Sequence, residues 1–429
     1  MNAIDIPPIV WGTVAIGGVV SPLNPNFSST ELVHYLETSQ AKAIVTQKSQ
    51  YAKVAQAAEG AGLPKDRIIV IDDDDNASGD NIWQPDPHLT PDYKFDSLHK
   101  SPITRPKEEL AFLVFSSGTT GLPKGVMLSH VNIVANLLQM EVVDAGFLDS
   151  KDRALAFLPF FHIYGKCITC LINYGLFLGM STYVMPRFDL EACCKVVQNQ
   201  KITYVYIVPP AVLQMVQNPI VEKYDLSSIR LFNSAAAPLP MELIKALRTK
   251  FGFSIRQQYG EEVKHGRMEG ELWVKGPNVF LGYLNNPTAT NESFSEDGYY
   301  KTGDVGYEDA YGNFVITDRI KELIKYNGFQ VPPAELEALI LGHPTVADVA
   351  VVGIPSGKAG SELPRAYIKV KEDNRANHKT ADDIVEFVRS KVAPYKQLRG
   401  GVHFIDAIPR NPSGKILRRE LKKLYANKL

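Results

Sequence analysis

The run Ser116-Ser117-Gly118-Thr119-Thr120-Gly121-Leu122-Pro123-Lys124-Gly125 places three glycines, four hydroxyls and a lysine directly after an apolar stretch at residues 110–115. Such a composition suits phosphate. Glycines let backbone N–H groups turn inward with no Cβ in the way, hydroxyls add donors, and an ammonium supplies a point charge. The common NTPase phosphate loop is excluded, because it needs a glycine, four intervening residues and then Gly-Lys-Ser/Thr. Counted from Gly118, Pro123 stands where the second glycine should be, and Lys124 is followed by Gly125 rather than a hydroxyl.

Four further motifs carry groups able to do chemistry. Leu158-Pro159-Phe160-Phe161-His162-Ile163-Tyr164-Gly165 sets one imidazole among aromatics, although such a histidine alone also reads as a core residue. Tyr300-Lys301-Thr302-Gly303-Asp304 offers a carboxylate at a turn, which alone is also an Asx-turn. Asp318-Arg319-Ile320-Lys321-Glu322-Leu323-Ile324-Lys325 looks, alone, like a charged helix start. Pro409-Arg410-Asn411-Pro412-Ser413-Gly414-Lys415 presents a lysine on a glycine turn near the C-terminus. Cys167 and Cys170 form a C-x-x-C with no second pair or histidine cluster at zinc spacing, so they read as packing residues and no metal site is assigned. The acidic run at residues 72–75 reads as a solvated turn.

The elements that must position these groups alternate in type. Residues 30–39 and 49–61 read as helices and 41–47 and 67–71 as strands, which argues for an α/β sheet. Residues 72–106 read as loop. Strands are expected again at 153–158, 181–185, 204–208 and 229–233, with helices between them. From residue 271 the texture shifts to shorter β-like pieces at 271–275, 306–307 and 313–317. After Asp318-Arg319 comes an α+β unit with helices at 333–341 and 381–392 and strands at 346–353 and 365–371, so a domain boundary is placed there.

A chain of 429 residues exceeds what one core usually supports. Its 45% apolar and 22% charged content is that of an ordinary globular protein, and a net charge of -1 gives no nucleic-acid footprint. Four cysteines make no disulfide framework, so a reducing compartment is the default. The N-terminal twenty residues lack a basic region, and Pro7-Pro8, Gly12 and Gly17-Gly18 interrupt their apolar run, so neither a secretory signal nor a membrane span is expected. A cytoplasmic location follows, with a peroxisomal one left open because Asn427-Lys428-Leu429 is similar to the Ser-Lys-Leu address.

In order, the five motifs resemble those of the acyl-adenylate-forming (AMP-binding) superfamily. His162-Ile163-Tyr164 and Lys325-Tyr326-Asn327-Gly328-Phe329-Gln330-Val331 look closest to 4-coumarate-CoA ligases and related acyl-CoA ligases, and the resemblance runs from residue 6 to residue 423. It implies a large N-terminal domain of layered α/β sheets (1–318, incomplete here) and a small mobile α+β C-terminal domain (319–429). It also implies ATP, Mg2+ and coenzyme A, and a reaction in which a carboxylate attacks the ATP α-phosphate and the thiol of coenzyme A then displaces AMP. By resemblance, Ser116, Ser117, Gly118, Thr119, Thr120, Gly121 and Lys124 hold phosphates, and Ala236 and Ala237, with Gln257 and Tyr259, frame the adenine. Asp304 accepts from both ribose hydroxyls, while Arg319, Lys321 and Lys325 contact the nucleotide or intermediate, Lys321 lying near the hinge. Lys415 is the catalytic lysine. His162 and Tyr164 border the acyl pocket, where Phe160 and Phe161 suit an aromatic or long apolar acid. Arg187 and Gly328 meet coenzyme A.

The chain departs from the family pattern in two large ways. Met1 enters in the middle of a family segment, and Gly260 is followed directly by Glu261-Glu262-Val263-Lys264-His265-Gly266, where the pattern has a magnesium-holding glutamate and then strands beside the active site. Smaller departures are Gln258 for a usual Gly, Asn327 for a usual Lys, and Lys166 after the His-Ile-Tyr motif. Three functional readings follow: an acyl-CoA ligase, a stand-alone adenylating enzyme without transfer to coenzyme A, and an inactive or incomplete remnant of such a ligase.

Overall fold

Short apolar runs bounded by polar turns become the strands that carry the site residues. The computed structural model describes residues 2–71, 103–116, 123–144, 146–161, 173–234, 239, 241–252, 254–257, 270–308, 314–327, 329–357, 361–371, 374–410 and 414–426. Helices α1 (Ile6–Ala15) and α2 (Ser29–Ser39), strand β1 (Ile44–Gln47), helix α3 (Tyr51–Gly60) and strand β2 (Ile68–Ile71) come first. Then follow β3 (Leu110–Ser116), β4 (Lys124–Ser129), α4 (His130–Asp144), β5 (Arg153–Ala156), α5 (Gly175–Leu178), β6 (Ser181–Val184), α6 (Leu190–Gln200) and β7 (Tyr204–Ile207). Next are α7 (Pro209–Gln217), β8 (Leu231–Ser234), α8 (Met241–Phe251), β9 (Ser254–Gln257), β10 (Gly270–Val274), β11 (Gly282–Tyr283) and α9 (Pro287–Ser293). The remaining elements are β12 (Tyr300–Glu308), β13 (Phe314–Arg319), β14 (Ile324–Tyr326), β15 (Phe329–Val331), α10 (Pro333–Leu341), β16 (Val346–Pro355), β17 (Glu362–Val370), α11 (His378–Arg389), β18 (Val402–Phe404) and α12 (Arg418–Ala426).

These elements form two compact units that interleave in sequence. The first comprises Met1–Tyr206, Pro219–Leu231 and Val274–Tyr300, and the second Ile207–Asn218, Phe232–Trp273 and Lys301–Leu429. The boundary expected at 318/319 falls at the end of β13, inside the second unit, and stands as a proposal about motion.

In the first unit, β1 and β2 pair in parallel, and α2 and α3 cover them with Leu32, Leu36, Val54 and Ala57. Helix α2 begins where Ser28 and Glu31 complete a capping box, each side chain meeting the other's backbone N–H. Strand β4 lies between β3 and β11. Strand β5 pairs in parallel with both β6 and β7, and the wholly buried Tyr204–Ile207 run is what a parallel strand covered on both faces requires. Helix α1 contains the prolines that interrupt the N-terminal apolar run. They sit in its first turn, where a missing N–H costs nothing. Cys193 and Cys194 are buried in α6, which pushes their thiols up to about 12 and about 11, so they pack rather than react. Cys167 and Cys170 lie outside the described residues.

In the second unit, β16 pairs antiparallel with β17, and β18 joins β17 in parallel. Alternate β16 residues serve opposite faces: Val349 and Val351 pack with Leu336 and Ile340 of α10 and Ile384 and Val388 of α11, whereas Ala350, Val352 and Ile354 pack with Leu421 of α12. Helix α10 matches the sequence expectation end to end, starting on Pro333. Two expectations need correction. Asp304 lies within β12 rather than at a turn, and Asp318-Arg319 closes β13 rather than opening a helix. The register of β12 against β13 imposes the extended form there, overriding the helix-like charge spacing.

Candidate functional site

The glycine-rich run of the first unit is framed by a hairpin. Ser116 ends β3 and Lys124 begins β4, and the two are register partners, so the chain leaves and re-enters the sheet at one rung. Ala111, Phe112, Leu113 and Val114 of β3 are all buried, which anchors that rung to the core. Gly125 permits the approach: a Cβ there would stand 3.1 Å from Leu113 Cδ1. The Lys124 ammonium lies 5.0 Å from the centroid of the Tyr283 ring on β11, whose neighbour on β4 is Val126. Ser117, Gly118, Thr119, Thr120 and Gly121 lie outside the described residues, as do Ala236, Ala237, Tyr259, His162, Tyr164 and Gly328. Arg187 is exposed in the bend between β6 and α6, two residues before Asp189 caps α6 at Ala192 N.

Sequence reasoning missed a residue that supports the approach to the His162 motif. The buried Asn2 side chain accepts from Phe160 N at 2.9 Å and donates to the carbonyls of Leu158 at 2.9 Å and Met185 at 3.2 Å. It thereby ties residues 158–160 to the segment that leads to Arg187. No local pattern could flag an asparagine whose partners lie more than 150 positions away.

In the second unit the sheet β10-β12-β13 brings Asp304 and Arg319 together. They are register partners on β12 and β13, and Arg319 Nε stands 2.7 Å from Asp304 Oδ1. Asp304 is only 7% exposed while Arg319 is half open, so the carboxylate is held in a fixed place by a cation that still faces solvent. The strand backbone just before Asp304 is itself pinned. Gly303 adopts φ +73, and its N–H donates to Glu271 Oε1 at 3.0 Å; the Thr302 hydroxyl donates to Leu272 O at 2.7 Å and accepts from Asp304 N at 3.1 Å. Glu271 and Thr302 hold the backbone next to Asp304 through contacts that the sequence motif does not reveal.

Lys415 feels the charges of the same pair. Gly414, at φ +84, turns the chain before it, and a Cβ there would stand 3.2 Å from Pro210 Cγ. Lys415 is half-buried. Burial first, and the Arg319 charge second, hold its ammonium below the ordinary lysine range, while Glu322 and Asp304 act in the opposite direction. Arg319, Glu322, Asp304 and Lys415 therefore form one electrostatic group of two cations and two carboxylates. The two cations of this group can meet anionic oxygens and neutralise charge that develops on them. Lys321 is exposed in the turn after β13. Lys325 is exposed on β14, with its backbone N–H donating to Glu362 Oε2 at 3.3 Å. Asn327 turns the hairpin to β15 at φ +47, a conformation asparagine tolerates. Gln257 is the last residue of β9.

The AMP-binding enzyme family matches residues 2–261, and the AMP-binding enzyme C-terminal domain matches residues 335–415. The chain belongs to the AMP-binding enzyme family. Probable 4-coumarate--CoA ligase 1 of Dictyostelium discoideum is 36% identical over 478 aligned positions, covering 100% of this chain and 85% of the relative. 4-coumarate--CoA ligase 1 of Petroselinum crispum is 36% identical, covering 96% and 80%. Among solved structures, ATP-bound MatB from Rhodopseudomonas palustris aligns with a TM-score of 0.83 at 25% identity, over 100% of this chain and 88% of that one. The 478 aligned positions exceed the 429 residues, so the Dictyostelium relative carries stretches with no counterpart in this chain. The junction at Gly260 lies outside the described residues. The family fold thus supplies the mixed α/β architecture expected from the sequence.

Among the described residues, no group of three or more His, Cys, Asp or Glu side chains gathers to hold a metal ion. Among the same residues no helix is long and apolar enough to cross a membrane.

Proposed function

We propose that the chain activates a carboxylic acid with ATP and passes the acyl group to coenzyme A. The observation that carries this reading is the Asp304–Arg319 ion pair in the second unit, whose charges act on the partly buried Lys415. A carboxylate is a poor electrophile because it is anionic and has no leaving group. In the first step its oxygen forms a bond to the ATP α-phosphorus as the bond to the β-phosphate oxygen breaks, giving acyl-AMP and pyrophosphate. In the second, the sulfur of coenzyme A, its proton released to solvent, attacks the acyl carbon and AMP departs. Both steps bring anions together, so they call for lysines, an arginine and backbone donors rather than a nucleophilic triad.

In this reading Asp304 accepts from the ribose hydroxyls, its two oxygens suiting two donors. Lys415 bridges the substrate carboxylate and the α-phosphate. The 116–124 run holds phosphates, Ala236, Ala237, Gln257 and Tyr259 frame adenine, and Arg319, Lys321 and Lys325 contact the nucleotide. The C-terminal part turns near Lys321 between the steps, and Arg187 and Gly328 meet coenzyme A. The acid is aromatic or long and apolar, a reading supported by Phe160 beside the His162 motif and by the names of the coumarate ligase relatives. The test is acyl-CoA formation, read by mass, from ATP, magnesium, coenzyme A and pooled hydroxycinnamic, benzoic and fatty acids. A thioester that depends on ATP supports the reading, and soluble folded protein that yields none contradicts it.

A second reading has its own observation. The family match ends at residue 261, beside the junction where the family resemblance implies that a strand-forming stretch is lacking. On this reading the chain is a shortened relative that binds ATP but forms no adenylate, and binding without turnover in the same assay would favour it.

A further inference from the structure

Lys415 sits on a segment that belongs to no strand or helix, between Gly414 and the start of α12. Two arginines flank it, five positions before and three after. Arg410 donates from Nη1 to the Gly414 carbonyl at 2.9 Å and from Nη2 to Asp348 Oδ1 on β16 at 2.8 Å. Arg418 donates from Nε to Glu322 Oε2 at 2.9 Å and from Nη1 to the Val351 carbonyl on β16 at 3.1 Å, and it also meets both oxygens of Glu337 on α10. Glu337 in turn accepts from Val351 N at 2.7 Å. The Leu417 N–H donates to Pro409 O at 2.8 Å, closing the segment's own base. All these partners belong to the second unit.

From these contacts we infer that Arg410 and Arg418 form a clasp that fastens the Lys415 segment to β16, and that both are positioning residues for the adenylation step. The inference rests on the ligase reading above. Arg418 also grips Glu322, in the turn directly after Arg319, so one guanidinium connects the lysine-bearing segment to the strand end that pairs with Asp304. A planar guanidinium serves this role because it spans a carbonyl and a carboxylate at fixed angles, which a single ammonium does not. Neither arginine needs to touch substrate. Their effect falls on the step in which Lys415 takes part, and thioester formation from acyl-AMP already made is spared.

The test uses the full chain with Arg410→Met, Arg418→Met and Arg410→Lys, plus Asp348→Asn, which leaves both arginines in place. The first readout needs no activity: amine labelling of Lys415 across pH, followed peptide by peptide, with exposed Lys321 and Lys325 as internal standards. In the wild type Lys415 labels more slowly than the standards, and in both methionine variants it approaches their rate; an unchanged Lys415 profile overturns the clasp. The second readout separates the half-reactions, ATP–pyrophosphate exchange against thioester formation from supplied cinnamoyl-AMP and coenzyme A. The clasp predicts at least a tenfold loss of exchange turnover with KM for ATP within twofold, a smaller loss in Arg410→Lys and Asp348→Asn, and thioester formation within twofold of wild type. Equal loss of both half-reactions makes the arginines mere scaffold and overturns the inference. A wild-type chain inactive in both half-reactions sinks the ligase reading instead, and the labelling profile alone then decides the clasp.

Discussion

Lys124 and Lys415 both follow glycines in the sequence, yet the molecule holds them by different means. Lys124 occupies the first rung of a hairpin, opposite Ser116, so the backbone ladder fixes where it starts and only its ammonium is steered, by the Tyr283 ring. Among the described residues Lys415 has no ladder beyond the bridge between Arg410 and Ile416, and its segment is held by guanidinium side chains. A position fixed by backbone register survives loss of any single supporting side chain, because the ladder remains. One fixed by side chains fails when a single donor is removed, but it can also be released and re-seated without unravelling a sheet. The Lys415 segment is therefore the more vulnerable of the two and the better suited to a group needed in only one of two steps.

The largest expected effect falls on the vulnerable side. Lys415→Ala should lower exchange turnover by about 10²–10³-fold, the usual loss when one preorganised charge-stabilising donor is removed, with ATP binding by calorimetry kept. Asp304→Ala strips the carboxylate from its strand partner. It should raise the nucleotide KM by roughly 10- to 100-fold, the equivalent of the ~1.5–3 kcal/mol that a hydrogen bond to a charged group contributes, while its turnover at saturation stays closer to wild type.

The pH profile gives a smaller, signed effect. Lys415 acts as a cation, so its contribution is full at low pH and is lost as pH rises through its folded pKa, which burial and Arg319 place below the ordinary lysine range. Glu322→Gln removes a charge that holds this pKa up, so the alkaline limb of exchange should move to lower pH; a limb that moves up contradicts the electrostatic group. The smallest effect belongs to the hairpin. Tyr283→Leu removes a cation–π contact of about 0.5–1 kcal/mol and should change KM for ATP by less than about tenfold. A larger change would erase the contrast between the two lysines.

Much of this was legible in sequence because it is local. The hydroxyl and glycine run followed an apolar strand, and Pro333 marked the start of α10. The two site carriers Asp304 and Arg319 stood out as residues but not as partners, since their pairing depends on β12 and β13 folding back on each other. Without that register the charges from Asp318 to Lys325 carry a helical spacing, and the strand is a tertiary effect. The clasp was illegible for the same reason: Arg410 reaches Asp348 across 62 positions, and Arg418 reaches Glu337 across 81 and Glu322 across 96. Asn2, Glu271 and Thr302 are ordinary polar residues until their backbone partners are known.

The central claim is that this chain makes an acyl-adenylate with Lys415. It is tested most directly by ATP–pyrophosphate exchange, run on wild type and Lys415→Ala in parallel with the pooled acids. The account predicts acid-dependent exchange in wild type that nearly vanishes in Lys415→Ala, with ATP still bound. Equal exchange in the two proteins, or none from folded wild type, would contradict it.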